Sequence, residues 1–125
     1  MRVLVDSSVW VGHFKQRNED VVDLLEAGLV VTHPYVVVEL ACGTPPRRRG
    51  LIRWLGDLES APVAAPDELL TLIESRSLYG RGCGFVDIGL LASARLGAQI
   101  LIWTRDKRLA AAATDLGCCW APALP

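Results

Sequence analysis

The sequence predicts an α/β domain built on a parallel sheet, and three patterns carry that prediction. Short apolar runs at Val3–Val5, "LVVTH" (29–33) and "QILIWT" (99–104) read as buried strands. The stretches between them place apolar residues at helical spacing and end at glycines. Strands that alternate with helices pair side by side in parallel, because each crossover returns the chain to the same edge. The 125 residues suit one domain over 1–125, and no internal repeat, low-complexity tract or linker divides them.

Taken in order, Val3–Val5 forms the first strand, and Ser7 or Ser8 starts a helix running to about Phe14. The polar break "KQRNED" leads to an amphipathic helix carrying Val21, Val22, Leu24 and Leu25, which Gly28 stops. After the 29–33 strand, Pro34 suits the first turn of a helix over Val36–Ala41 that ends by Gly43. Its three consecutive valines pull the other way, towards a strand. "TPPRRRG" reads as a turn and a basic knot, and Leu51, Ile52, Leu55 and Leu58 repeat at helical spacing. "APVAAP" is a short strand or extended link. "PDELLTLIESRSLYG" is a helix with Pro66 and two acids in its first turn and Gly80 past its end. "RGCGF" is a tight glycine-rich loop, followed by a helix from about Val86 to Arg95. After the 99–104 strand, "DKRLAAAATDLG" is a helix stopped by Gly117, and "CCWA" is a last short strand.

Composition narrows the function. Hydrophobic residues make up 51%, and mean hydropathy is +0.31. That apolar excess suits a surface that meets a partner or a second copy. No apolar run reaches the roughly 18 residues that span a membrane, and no signal-peptide pattern is apparent, so a cytoplasmic protein is expected. The net charge of −1 excludes a generally basic nucleic-acid binder. The four cysteines form no C-x-x-C pair, and His13 and His33 are the only histidines. That is too sparse for a zinc site, so reduced, mostly buried thiols are expected. The glycines of "GRGCGF" follow no strand and are a weak nucleotide-binding signal.

Three acids stand alone in apolar sequence. Asp6 is the sole charge between Arg2 and Lys15, Glu39 between Gly28 and Arg47, and Asp87 between Arg81 and Arg95. Asp106 follows the strand "ILIWT" much as Asp6 follows "VLV". An unpaired carboxylate in an apolar setting is costly. Each acid has an ordinary reading: a cap for Asp6, Asp87 and Asp106, an exposed helix position for Glu39. One shared reading covers all four. Ligands bind beyond the carboxyl ends of parallel strands, and carboxylates gathered there suit the hard ions Mg²⁺ or Mn²⁺.

The stretches "VLVDSSVW", "VVVELACG", "GCGFVDIGLLASA" and "LIWTRDKRL", in that order, resemble the PIN domain. They most resemble the VapC-type ribonuclease toxins of bacterial toxin–antitoxin pairs. The resemblance runs from Val3 to about Leu116. It implies a PIN-like three-layer α/β/α fold with a central, mostly parallel sheet. It places the family's acids on Asp6, Glu39, Asp87 and Asp106, and its hydroxyl residues on Ser8 and Thr104. It further implies a Mg²⁺- or Mn²⁺-dependent endoribonuclease, a homodimer, inhibition by a cognate antitoxin, and structured RNA such as tRNA or rRNA as substrate. The middle, roughly 45–66, carries no family motif and is where target and partner specificity is expected.

From these residues the expected reaction is hydrolysis of an RNA phosphodiester by water that a divalent ion activates. Ser8 and Thr104 would orient a carboxylate or a water, with helix or turn capping as their second reading. With the four acids set aside, the formal charge moves from −1 by four to +3, so arginines can hold phosphates. Arg81, Arg105 and Arg108 lie nearest the acids in sequence; Arg47, Arg48, Arg49 and Arg53 are a second set, though the "RRR" run reads more simply as a solvated turn. Trp10, Trp103 and Trp120 read as core, and Trp54 as a residue that stacks on a base or fills a protein interface, the interface being favoured. Two other classes fit less well. A dehalogenase-like phosphatase needs Asp where Ser8 stands, and a receiver domain needs an acidic pair near the first strand. The remaining alternative is a PIN-like binding module that acts mainly through a DNA-binding partner.

Overall fold

The computed structural model describes residues 1–123. Its elements are β1 (Arg2–Val5), α1 (Ser7–Lys15), α2 (Glu19–Glu26), β2 (Val30–Val31), α3 (Pro34–Ala41), α4 (Arg48–Asp57), α5 (Pro66–Ser75), α6 (Phe85–Leu96), β3 (Ile100–Trp103) and α7 (Lys107–Asp115). The sheet order is β2-β1-β3, parallel throughout, with Val3 opposite both Val30 and Leu101. Single parallel bridges, Thr32 to Ser60 and Ile102 to Cys119, extend the two edges. The parallel sheet is what the alternating pattern predicts, and the three-layer α/β/α arrangement is what the resemblance implies.

β1 is the axis. Val3, Leu4 and Val5 are fully buried. Successive side chains on a strand face opposite sides, so both faces of the sheet are covered. Covered faces explain why the strand reads as an unbroken apolar run rather than an alternating one. Trp10, Leu55, Leu90, Leu91, Ile102 and Leu109 complete the core from the helices and β3.

Helix ends follow local chemistry. The Asn18 side chain caps α2 by accepting from the N–H groups of Asp20 and Val21. Gly28, at φ +70°, closes it, donating to Leu25 while Leu29 donates to Leu24. α3 is a helix despite its valines. Pro34 opens it, and the buried His33 ring caps it through Nδ1, which accepts the Tyr35 N–H at 3.0 Å. The β-branched residues cost helix propensity, and burial of Val36 and Leu40 overrides that cost.

Two boundaries differ from expectation. α5 stops at Ser75 rather than near Gly80. Ser77 takes the left-handed conformation usually given to glycine, and the Leu78 N–H turns back to the Ile73 carbonyl. Burial of Leu78, at 2% exposure, offsets that strain. α4 starts at Arg48, so Arg48, Arg49 and Gly50 of the basic "knot" are helical. Arg48 donates from Nε and Nη2 to Ala41 O and from Nε to Gly43 O, satisfying carbonyls at the end of α3. It is a structural arginine. Of the two readings of "APVAAP", short strand or extended link, the link holds; pairing there ends at Ser60. "CCWA" contributes one bridge, at Cys119.

The cysteines are unpaired, but only Cys118 is buried, and Cys42 is exposed. Trp10 and Trp103 are buried as expected, and the half-buried Trp120 packs on Trp103 with ring centroids 4.7 Å apart. Among the described residues no helix is long and apolar enough to cross a membrane.

Gly89 sets how closely α3 and α6 approach. A Cβ there would meet the Tyr35 ring at 2.9 Å, so a larger residue would push the two helices apart. Those helices carry Glu39 and Asp87.

Candidate active site

Asp6, Glu39, Asp87 and Asp106 come from four separate segments and line one cleft of about 500 Å³. Asp6 ends β1, and Asp106 begins α7 three residues after β3. Both therefore sit at the carboxyl edge of the sheet, where parallel strands leave backbone ends and helix starts facing a crevice. Glu39 reaches the cleft from α3, and Asp87 from the first turn of α6. Ser7, Ser8, Val11, Gly12, Lys15 and Arg105 complete the lining.

Asp6 is the buried member, at 6% exposure. It occupies the N-cap position of α1, yet its carboxylate makes no cap bond. Oδ2 instead accepts from Ser8 Oγ at 2.8 Å and Thr104 Oγ1 at 2.7 Å. Those hydroxyls are themselves oriented by backbone. Ser8 Oγ accepts from Arg105 N at 3.0 Å, and Thr104 Oγ1 accepts from Asp106 N at 3.0 Å. The β3–α7 turn thus reaches Asp6 through two hydroxyl relays. Ser7, which sequence reasoning passed over, donates to Glu39 Oε1 at 2.9 Å.

Each carboxylate has its own anchor. Asp87, third residue of α6, accepts the Gly84 N–H at 3.3 Å. Asp106 caps α7, with Oδ1 accepting from Arg108 N at 2.8 Å and Leu109 N at 3.3 Å. Capping and cleft lining are compatible in Asp106, because both cap bonds use one oxygen. Held separately, the acids ring the cleft. No three His, Cys, Asp or Glu side chains converge as a ligand cluster among the described residues.

The electrostatics favour a cation. The ion pairs join Arg2 to Glu59, Arg17 to Glu19 and Arg81 to Asp115, so none involves the four acids among the described residues. Burial, then the charges of Asp6 and Asp87, raises the Glu39 carboxyl above its ordinary range, against the lowering effect of Ser7. Asp87 is raised by burial and by Asp106 and Asp6, against the Gly84 N–H. Carboxylates that disfavour one another's charge, gathered at one cleft, are the chemistry of a hard divalent-ion site. Asp6, Glu39, Asp87 and Asp106 are the residues whose oxygens would hold such an ion.

The three candidate arginines separate. Arg105 lines the cleft, lying over Gly12 of α1; a Cβ at Gly12 would come within 2.4 Å of Nη1. Arg81 pairs with Asp115 at 2.8 Å, and Arg108 lies against Gly82, whose φ is +80°. Arg81 and Arg108 brace the glycine-rich loop against α7 and are not part of the cleft lining. Lys15, at the end of α1, lines the cleft and was not singled out from sequence. Gly12 bears on Arg105 instead: a glycine inside a helix costs about 1 kcal/mol, and the packing reason here is the guanidinium lying over it. Trp54 is 43% exposed and meets Trp10 edge-on, with ring centroids 5.9 Å apart.

The relay makes a prediction. Thr104→Val removes a donor to Asp6 and an acceptor for the Asp106 N–H. It is expected to cost about 1–3 kcal/mol in stability and about 10–100-fold in activity. Thr104→Ser retains the hydroxyl and is expected to recover most of both. Urea unfolding and RNA cleavage on the same preparations read the two effects.

A parallel sheet with four acids lining one cleft at its carboxyl edge is the class of fold and site found, and the chain belongs to the PIN domain family, whose profile matches residues 3–115. Within that family it is of the VapC type. It is 42% identical over 115 residues to Ribonuclease VapC32 of Mycobacterium tuberculosis, strain CDC 1551 / Oshkosh, covering 92% of this chain and 93% of the relative. The same protein from strain ATCC 25618 / H37Rv matches equally.

Proposed function

We propose that the protein is a divalent-metal-dependent endoribonuclease that acts as the toxin of a toxin–antitoxin pair. One observation carries the reading: four acids from four segments line a single cleft at the carboxyl edge of the sheet, with no basic side chain paired to them among the described residues. The likeness to a protein named a ribonuclease supports RNA as the substrate.

Asp6, Glu39, Asp87 and Asp106 would hold Mg²⁺ or Mn²⁺, which supplies Lewis-acid activation of water and neutralises phosphate charge. The chain's own residues do the rest. Ser8 and Thr104 fix the Asp6 carboxylate in one rotamer. Ser7 fixes Glu39. Arg105 and Lys15 place positive charge on the rim of an otherwise acidic cleft, where a polyanion must approach. His13 lies outside the cleft lining, and His33 is fully buried. A histidine pair that would drive attack by the RNA's 2′-OH is therefore lacking among the lining residues. Products should carry 5′-phosphate and 3′-OH ends. The protein is read as cytoplasmic, as a homodimer, and as restrained by a cognate antitoxin protein; tRNA or rRNA is the class of target.

Chelation tests this reading. Excess EDTA is expected to abolish cleavage, and Mg²⁺ or Mn²⁺ to restore it, with ligatable 5′-phosphate ends. Full activity in EDTA, or 2′,3′-cyclic phosphate ends, would overturn it.

A further inference from the structure

A second cleft, of about 480 Å³, opens beside the acidic one. The two share Ser7, Val11, Lys15 and Glu39, so they form one groove with an acidic end and an apolar end. The apolar end is walled by Phe14 and Leu40, and by Pro45 and Pro46 from the α3–α4 connection. Phe14 is half-buried and held in place. Its ring lies 25° from the plane of the buried Trp10, with centroids 6.1 Å apart. Lys15 stands where the two ends meet.

We propose that the apolar end is a nucleobase subsite, in which an unpaired base of the RNA next to the scissile phosphate stacks on Phe14. The inference rests on the ribonuclease reading of the acidic end and adds how substrate is chosen there. Three features favour a base over an apolar protein segment as occupant. The subsite is continuous with the phosphate-cleaving cleft, so a strand bound in one must pass the other. A cationic side chain, Lys15, lines both ends and can meet the phosphate that joins them. The platform is an aromatic ring already fixed by its neighbours, which lowers the entropic cost of stacking. Sequence-selective recognition of RNA works mainly through such splayed, unpaired bases. Pro45 and Pro46 lie in the motif-free segment, so this wall is where base preference would be set.

The test uses the full chain in two arms. With Mn²⁺, a pool of short unstructured oligoribonucleotides is cleaved and the product ends are sequenced. The unsubstituted protein should show a base preference at one position flanking the cut. Phe14→Leu keeps apolar volume but loses the aromatic face. It should raise KM about ten-fold with kcat little changed and flatten the preference at that position alone. Phe14→Trp should restore both. The second arm needs no cleavage. A short oligoribonucleotide binds to the Asp6→Asn protein, and an abasic site is moved along it. Loss of one base should weaken binding about ten-fold, and Phe14→Leu should erase that sensitivity. Binding that is indifferent to both Phe14 and the abasic scan, with cleavage preference unchanged in Phe14→Leu, would overturn the proposal and leave the groove to a protein segment. The single-position effect in binding without cleavage by the unsubstituted protein would keep the subsite and remove the nuclease. The two failures are therefore distinct.

Discussion

Asp6→Asn abolishes RNA cleavage, by about a thousand-fold or more, and leaves the protein folded: that is the expected result. The two halves have separate causes. Asp6 is the most buried of the cleft acids and the one nearest the sheet, and its charge bears on both Glu39 and Asp87. Removing it takes away the negative charge around which the site is arranged. The fold survives because Ser8 and Thr104 both donate to a single oxygen, Oδ2. An amide oxygen has two lone pairs and accepts both hydroxyls. Loss of a buried like charge also relieves repulsion, so Tm should hold or rise by a few degrees. The Glu39 and Asp87 carboxyls should relax downwards towards ordinary values, since Asp6 contributes to raising each. Cleavage with Mn²⁺ and thermal unfolding, run side by side, check both halves. Undiminished cleavage by the variant would place the site elsewhere. A collapsed Tm would make Asp6 a structural residue.

Much of this site was visible in the sequence because desolvation leaves a mark there. A lone acid in a run such as "YVVVELAC" has no local cation, so its partner must come from another segment. The strand-then-Asp pattern at Asp6 and Asp106 worked because β1 and β3 are neighbours, pairing from Arg2–Ile100 to Val5–Trp103. What stayed hidden depends on side-chain direction. Both serines after Asp6 were candidates to start α1, and neither caps it: Ser8 turns to Asp6, a carboxylate contact its position suggested, while Ser7 turns to Glu39, which the sequence did not signal. Arg81, Arg105 and Arg108 looked alike by position. Gly12, Asp115 and Gly82 separate them, and those contacts are made across the chain. The end of α5 was missed because Ser77 takes a glycine's conformation. The contact that compensates, burial of Leu78, is tertiary. Propensity misplaces an end of this kind wherever packing outweighs about 1 kcal/mol of backbone preference.

His33 carries the second large effect, an acid-sensitive stability. The ring is fully buried, and Nδ1 accepts the Tyr35 N–H, so the neutral form must hold its proton on Nε2. Nε2 has no protein partner among the described residues. Protonation would place a second proton on Nδ1, break the cap of α3 and strand a charge in the core. Burial therefore lowers the His33 pKa to about 4. Between there and the ordinary value of 6.5 the unfolded chain binds the extra proton and the folded chain does not. Stability from this group is complete above pH 6.5 and is lost as pH falls towards 4, by about 3 kcal/mol in all. Out of a typical total of about 5–15 kcal/mol, that is a large share. Glu39 and Asp87 act in the opposite sense. Their raised carboxyls take up protons more readily when folded, so acidification relieves their repulsion and adds stability just above the ordinary carboxyl range. His13 is lowered as well, first by burial and then by Arg17, and adds to the His33 trend. His33→Asn separates these contributions. Asn can cap α3 through its side-chain oxygen but does not titrate. Urea unfolding from pH 7 to pH 4.5 should show a steep loss in the unsubstituted protein. The variant should be weaker at neutral pH, from lost packing, but much flatter with pH. An equal slope in both would assign the acid sensitivity to other groups. Because α3 also carries Glu39, loss of its cap should loosen one side of the cleft before the core gives way.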